Sequence, residues 1–142
     1  MTRLADPTEW TSVDVFPHSG QTGAAVDDSL VAAADHRTAN RKGWQRIIDS
    51  TLIEWGRDPS QLEDEDVTAP TQAVIARATR LAVILRDNAL APPNRAVTNG
   101  DGGVVFERWE GPVFEQIEIA DDGAITITST IDSEIVRSRR LI

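Results

Sequence analysis

The sequence predicts an α+β domain in which two amphipathic helices pack on one face of an antiparallel β-meander of three to five strands, behind an irregular N-terminal arm. Three observations predict it. Apolar residues recur at helical spacing in two separate stretches ahead of residue 90. From residue 95 onward the period drops from about 3.6 to 2. The breaks between the alternating runs, "NGDGG", "EGP" and "DDG", are turn chemistry.

The arm, residues 1–36, carries no stable period. Pro7, Pro17, Gly20 and Gly23 interrupt it, and polar residues fill most of it. Trp10, Val13, Val15 and Phe16 read as an extended or turn-like anchor for a core formed later, and a short helix is expected around Ser29–Ala34. The single α+β domain is expected over 37–142.

The first amphipathic helix is predicted over residues 39–56, "ANRKGWQRIIDSTLIEWG". Trp44, Ile47, Ile48, Thr51, Leu52 and Trp55 fall on one stripe, while Arg46, Asp49 and Glu54 fall off it. Gly56, then Asp58-Pro59, is a stop signal. An acidic connector follows over 58–69, with Glu63, Asp64, Glu65 and Asp66 in sequence and Leu62 and Val67 as its core contacts.

The second helix is predicted from near Pro70 to about Asn88, with Thr68 or Thr71 as cap and proline tolerated in the first turn. Val74, Ala78, Leu81, Ala82 and Leu85 make its stripe, widened by Ile75 and Ile84. "APPNR" ends it. Strands are predicted at 95–98, 103–109, 113–120 and 124–130. "DSEIVRSRRLI" reads either as a last short strand or as a frayed tail. Alternation places Val104, Phe106, Ile117, Ile119, Ile125 and Ile127 on one apolar face, with Glu107, Gln116, Glu118, Thr126 and Thr128 opposite.

Bulk composition narrows the function classes. A chain of 142 residues suits one domain. A net charge of -9 repels phosphate backbones and anionic lipid, so neither nucleic acid nor membrane is expected as a partner. A basic protein partner or self-association fits better. With no cysteine there is no disulfide, thiolate nucleophile or Cys-based metal site. The N-terminus lacks the basic start and apolar run of a signal peptide, and no apolar run approaches the roughly 20 residues of a membrane span. A cytoplasmic location is the expectation.

No catalytic residue, cofactor or metal ligand is assigned. The two histidines, His18 and His36, both lie in the arm, so a triad or two-His site lacks its parts. The Glu63–Asp66 run reads as a solvated connector, because consecutive carboxylates converge on a cation only if a turn folds them around it. "NGDGG" resembles the start of a calcium loop. However, Gly103 offers no side-chain oxygen at the fifth position and Val104 stands where the sixth needs glycine, so it reads as a hairpin turn. No Walker loop, GxGxxG, GxSxG or HExxH is present. Arg137, Arg139 and Arg140 form a local positive patch.

Glu107, Arg108 and Trp109 are the candidate partner contacts. Strict alternation from Val104 turns Trp109 away from Phe106, onto the side of Glu107, where a large aromatic is a contact candidate. Two other readings compete: the Trp10/Phe16 anchor covers it, or a bulge near Glu107–Arg108 turns it into the core.

The order of amphipathic helix, acidic connector, Pro-started helix, "DGGVVFE" and "IEIADDG" resembles a family of small uncharacterised bacterial proteins. The match lies on Asp101, Gly102, Gly103, Val104, Phe106 and Glu107, then Ile117, Glu118, Ile119, Asp122 and Gly123. It covers about residues 44–127. Arg108 stands where the pattern carries tryptophan, and the tryptophan follows at 109. The resemblance implies the fold and transfers no activity.

Taken together, these features point to a non-enzymatic interaction or regulatory protein, such as an antitoxin-like or immunity-like neutraliser of a basic partner. The alternatives are a small-ligand binder or enzyme with a pocket at the Glu107-Arg108-Trp109 strand, and a structural component of a phage or mobile element.

Overall fold

The computed structural model describes residues 23–141. The first helix, α1 (Gly23–Ile47), runs into a π turn (Ile48–Leu52) and on into α2 (Ile53–Arg57). Ile47 and Ile53 keep right-handed helical dihedrals on either side of the turn, so the three form one rod. The expected stripe is the buried one: Trp44, Ile48 and Leu52 are in the core, with Ile47 and Trp55 packed against it.

The rod starts earlier than the expected residue 39. The last part of the expected arm, residues 23–36, is helical. Ala24, Ala25, Ala32, Ala33 and Ala34 explain this, since alanine is the best helix former even where no apolar stripe marks the period. The proposed anchor (Trp10, Val13, Val15, Phe16) and His18 lie outside the described residues.

Asp58 leaves the helical region, and a 3-10 turn, Pro59–Leu62, opens the connector. Helix α3 (Gln72–Asp87) begins at Thr71, whose Oγ1 accepts the Val74 N–H at 3.2 Å. Its buried residues are the predicted stripe with Ile75 added, but Ile84 is 38% exposed and does not widen it. The helix ends in a Schellman motif: the Ala89 N–H bonds the Arg86 carbonyl and the Leu90 N–H bonds the Leu85 carbonyl. Ala89 takes the left-handed position, φ 54°, that glycine usually holds. Two α1 side chains then cap the exit. Asn40 donates to the Ala89 carbonyl, and Trp44 Nε1 donates to the Leu90 carbonyl, each at 2.9 Å. Close by, Gly43 lies so near Pro92 that an added Cβ would sit 2.5 Å from the ring.

Five strands follow: β1 (Arg95–Thr98), β2 (Val104–Glu110), β3 (Val113–Ile119), β4 (Ile125–Ile131) and β5 (Glu134–Arg140). They pair antiparallel in sequence order, a meander. The "DSEIVRSRRLI" segment is therefore a strand. Gly111, φ 59°, followed by Pro112 fits a type II′ hairpin turn. The β4–β5 turn is a two-residue link in which Asp132 and Ser133 both take positive φ, 50° and 70°, without glycine.

Val104, Phe106, Ile117, Ile119 and Ile125 form the sheet's contribution to the core. Trp44 meets Phe106 edge-on, ring centroids 5.4 Å apart, and this contact locks the rod over the middle of the sheet. Among the described residues no helix is long and apolar enough to cross a membrane.

Candidate functional site

Strand β2 pairs with β3 without a bulge, from Val104↔Ile119 through Phe106↔Ile117 and Arg108↔Glu115 to Glu110↔Val113. Alternation is therefore strict. Glu107 and Trp109 lie on the face away from the helices, and Arg108 continues the core face beyond Phe106. The three candidate contacts are split across the sheet and do not line one site. The bulge that would turn Trp109 inward is not there.

Trp109 is 46% exposed. It packs edge-on against its register partner Phe114, centroids 5.7 Å apart, and the Arg95 guanidinium lies 5.2 Å from its ring centre. Arg95 Nε also donates to Glu107 Oε1 at 2.6 Å. Asn94 fixes the corner from the backbone side: its Oδ1 accepts the Trp109 N–H at 2.6 Å, and its own N–H bonds the Glu107 carbonyl at 2.7 Å. The result is an aromatic and cationic platform on the outer face, held at the open end of the β1–β2 pair.

On the inner face Arg108 and Glu115 form an ion pair through Nη2 and Oε1, with Arg108 7% and Glu115 5% exposed. Arg108 Nη1 also reaches the exposed Glu110 at 3.1 Å, and the Ser129 hydroxyl approaches Glu115 Oε2 at 3.5 Å. Register carries this row across the sheet from Arg108 to Glu115, Ser129 and Arg137. Arg139 pairs opposite Ile127 and Arg140 opposite Thr126, so the basic patch read from the C-terminal sequence is divided between the two faces.

The other end of the sheet is acidic. In "NGDGG" Asn99 is the hub: its Oδ1 accepts the Asp101 and Gly103 N–H groups, each at 2.8 Å, and its Nδ2 donates to Glu118 at 2.8 Å. Gly100 and Gly102 take positive φ, 85° and 87°. This is hairpin geometry, with the Asn99 oxygen already engaged by two donors. The connector is stitched to the same loop, because the Thr68 N–H bonds the Gly100 carbonyl and the Gly102 N–H bonds the Thr68 carbonyl. The β3–β4 turn lies alongside, with Asp121 Cβ 3.1 Å from where a Gly102 side chain would begin. The exposed carboxylates of Glu63, Asp64, Glu65, Asp66, Asp101, Asp121 and Asp122 are thereby brought to one end of the domain. Among the described residues no group of three histidine or carboxylate side chains is arranged to hold a metal ion. His36 is exposed on α1.

Sequence reasoning missed Asn94, Asn99 and Glu115. A signal existed for the last: Glu115 shares parity with Ile117 and Ile119, just as Arg108 does with Val104 and Phe106. No protein-family model, no curated protein and no solved structure matches this chain.

Proposed function

We propose that this protein is a non-enzymatic interaction protein, antitoxin-like or immunity-like, that neutralises a basic protein partner. The observation that carries the reading is the acidic end. A chain of net charge -9 draws the carboxylates of its connector and of two hairpin turns together on one exposed surface. Such a surface steers a basic partner and orients it on encounter. Trp109 stands at the far end of β2, about 20 Å away at roughly 3.3 Å per residue, and serves as a second contact. The alternative of a ligand pocket at residues 107–109 is disfavoured by the division of Arg108 from Glu107 and Trp109.

The test is affinity capture on the full chain from an extract of the native host at physiological salt. The captured partner is then purified and titrated against the wild type, Trp109→Ala, and the triple variant Glu63→Lys, Asp64→Lys, Asp101→Lys. The expected result is a stoichiometric basic protein whose affinity falls at least about tenfold on charge reversal, about 1.4 kcal/mol, and weakens as salt rises. Absence of a stoichiometric partner, or an affinity indifferent to the reversal, overturns the reading.

A further inference from the structure

Of the chain's four asparagines, Asn99 alone is followed by glycine. That pairing carries chemistry of its own. The backbone nitrogen of the next residue can attack the asparagine amide carbon, and a glycine there has no side chain to hinder the approach.

The fold holds this amide tightly. Asn99 Oδ1 accepts the Asp101 and Gly103 N–H groups, each at 2.8 Å, and Nδ2 donates to Glu118 Oε2 at 2.8 Å. The Asn99 N–H in turn bonds the Gly103 carbonyl at 3.2 Å. The amide also packs on the Gly103 backbone: a Cβ added at Gly103 would lie 2.5 Å from Nδ2 and 2.9 Å from Cγ. Attack requires the planar amide carbon to become tetrahedral and its nitrogen to depart. Three hydrogen bonds and the Gly103 backbone oppose both. Opening of the hairpin removes all of these restraints at once.

We infer that Asn99 is a modification site latched by the fold: it loses ammonia to Gly100 when the 99–103 hairpin opens, and the product unfastens the connector. Water is the only co-reactant. The Gly100 nitrogen forms a bond to Asn99 Cγ and gives its proton to solvent. The Cγ–Nδ2 bond breaks, and the nitrogen takes a proton from solvent and leaves as ammonia. Water then opens the cyclic imide. Opening on one side leaves aspartate, and on the other isoaspartate, in which the main chain runs through the former side chain.

Either product breaks the wiring of the loop. A carboxylate oxygen now stands where Nδ2 donated, against the Glu118 carboxylate, so an attraction becomes a repulsion. Isoaspartate also lengthens the main chain between residues 99 and 100. The Gly100 carbonyl is displaced from the Thr68 N–H, and the Gly102 N–H from the Thr68 carbonyl, the two bonds that stitch the connector to this loop. This inference is independent of the basic partner.

Peptide mass mapping of the full chain, incubated at mildly alkaline pH and sampled over time, reads the conversion. Asp101 and Asp122 also precede glycine, but they isomerise without a change of mass, so the mass gain is that of Asn99 alone. The folded chain should convert at least about tenfold more slowly than the chain unfolded in urea. Glu118→Ala should raise the folded rate at least about threefold by freeing Nδ2, with no effect in urea. Glu118→Gln, which keeps an acceptor for Nδ2, should stay within about twofold of wild type. Circular dichroism checks that each variant is folded. In the converted chain, isolated by ion exchange, the Thr68 and Gly102 amides should exchange hydrogen at least about tenfold faster. Equal rates in the folded and unfolded chain overturn the inference. So does a Glu118→Ala rate no higher than wild type, a Glu118→Gln rate as high as that of Glu118→Ala, or unchanged exchange at Thr68 and Gly102 after conversion.

Discussion

Replacing Arg108 alone should be far more damaging than replacing it together with Glu115. Both side chains are more than nine-tenths buried on the core face, and each is the other's register partner. In Arg108→Met the methionine fills most of the volume, but Glu115 keeps its buried charge and loses the guanidinium it is paired with. Breaking a buried pair from one side costs about 3–5 kcal/mol. The second link, to Glu110, adds little, because that side chain is 66% exposed and such pairs contribute about 0–1 kcal/mol. Domains of this kind are stable by about 5–15 kcal/mol, so the single variant loses a large part of its stability. In Arg108→Met with Glu115→Leu no charge is left buried. The double variant should lie within about 1 kcal/mol of wild type, or exceed it by up to about 4 kcal/mol. Urea unfolding at pH 7, followed by tryptophan fluorescence and circular dichroism, measures both. A cost under about 1 kcal/mol for the single variant, or a double variant no better than the single, would refute the argument that this pair is buried and mutually dependent.

Three further outcomes test other parts of the structure. Gly43→Ala gains about 1 kcal/mol of helix propensity, yet should be net destabilising, because the methyl overlaps the rigid Pro92 ring and such overpacking costs about 1–3 kcal/mol. A thermal melt above wild type would contradict the close approach. Ser133→Gly relieves a left-handed residue, φ 70°, in an exposed turn and should raise stability by about 1 kcal/mol, or about 2–4 °C in Tm. Trp109→Ala should cost no more than about 1–2 kcal/mol, the sum of an exposed cation–π contact and one aromatic pair. A loss of about 3–5 kcal/mol in denaturant would instead mark a core tryptophan.

Much of this architecture was legible because burial leaves a period. Trp44, Ile48 and Leu52 announce a helix by spacing, and Val104, Phe106, Ile117 and Ile119 announce a half-buried sheet by alternation. Features that leave no period were harder to read. Residues 30–39 of α1 are all exposed, and alanine propensity is what favours the helix there. Strand β5 has no alternation to show, since Ile135 and Val136 are both exposed, and its turn is made by Asp132-Ser133 where glycine or asparagine would have signalled a hairpin. Trp109 points where strict alternation puts it. Arg108 obeys the same rule, but its charge invites the opposite assignment. Pairing it with Glu115 needs the β2–β3 register, which the two-residue turn at Gly111-Pro112 sets and alternation alone does not reveal.

The caps that Asn40 and Trp44 place on the Ala89 and Leu90 carbonyls have a consequence for how the molecule assembles. Every strand of the meander pairs with its neighbour in sequence, so the sheet closes through short loops. The caps join positions 49 and 46 residues apart. Loop-closure entropy therefore falls on the docking of the helical rod, which should limit folding speed more than pairing of the strands does. The two caps also make the end of α3 and the C-terminal part of α1 one cooperative unit: neither opens without exposing carbonyls to solvent. In native-state hydrogen exchange the backbone amides of Trp44 and Leu90 should share one opening free energy, and separate values would show that the clamp yields piecemeal.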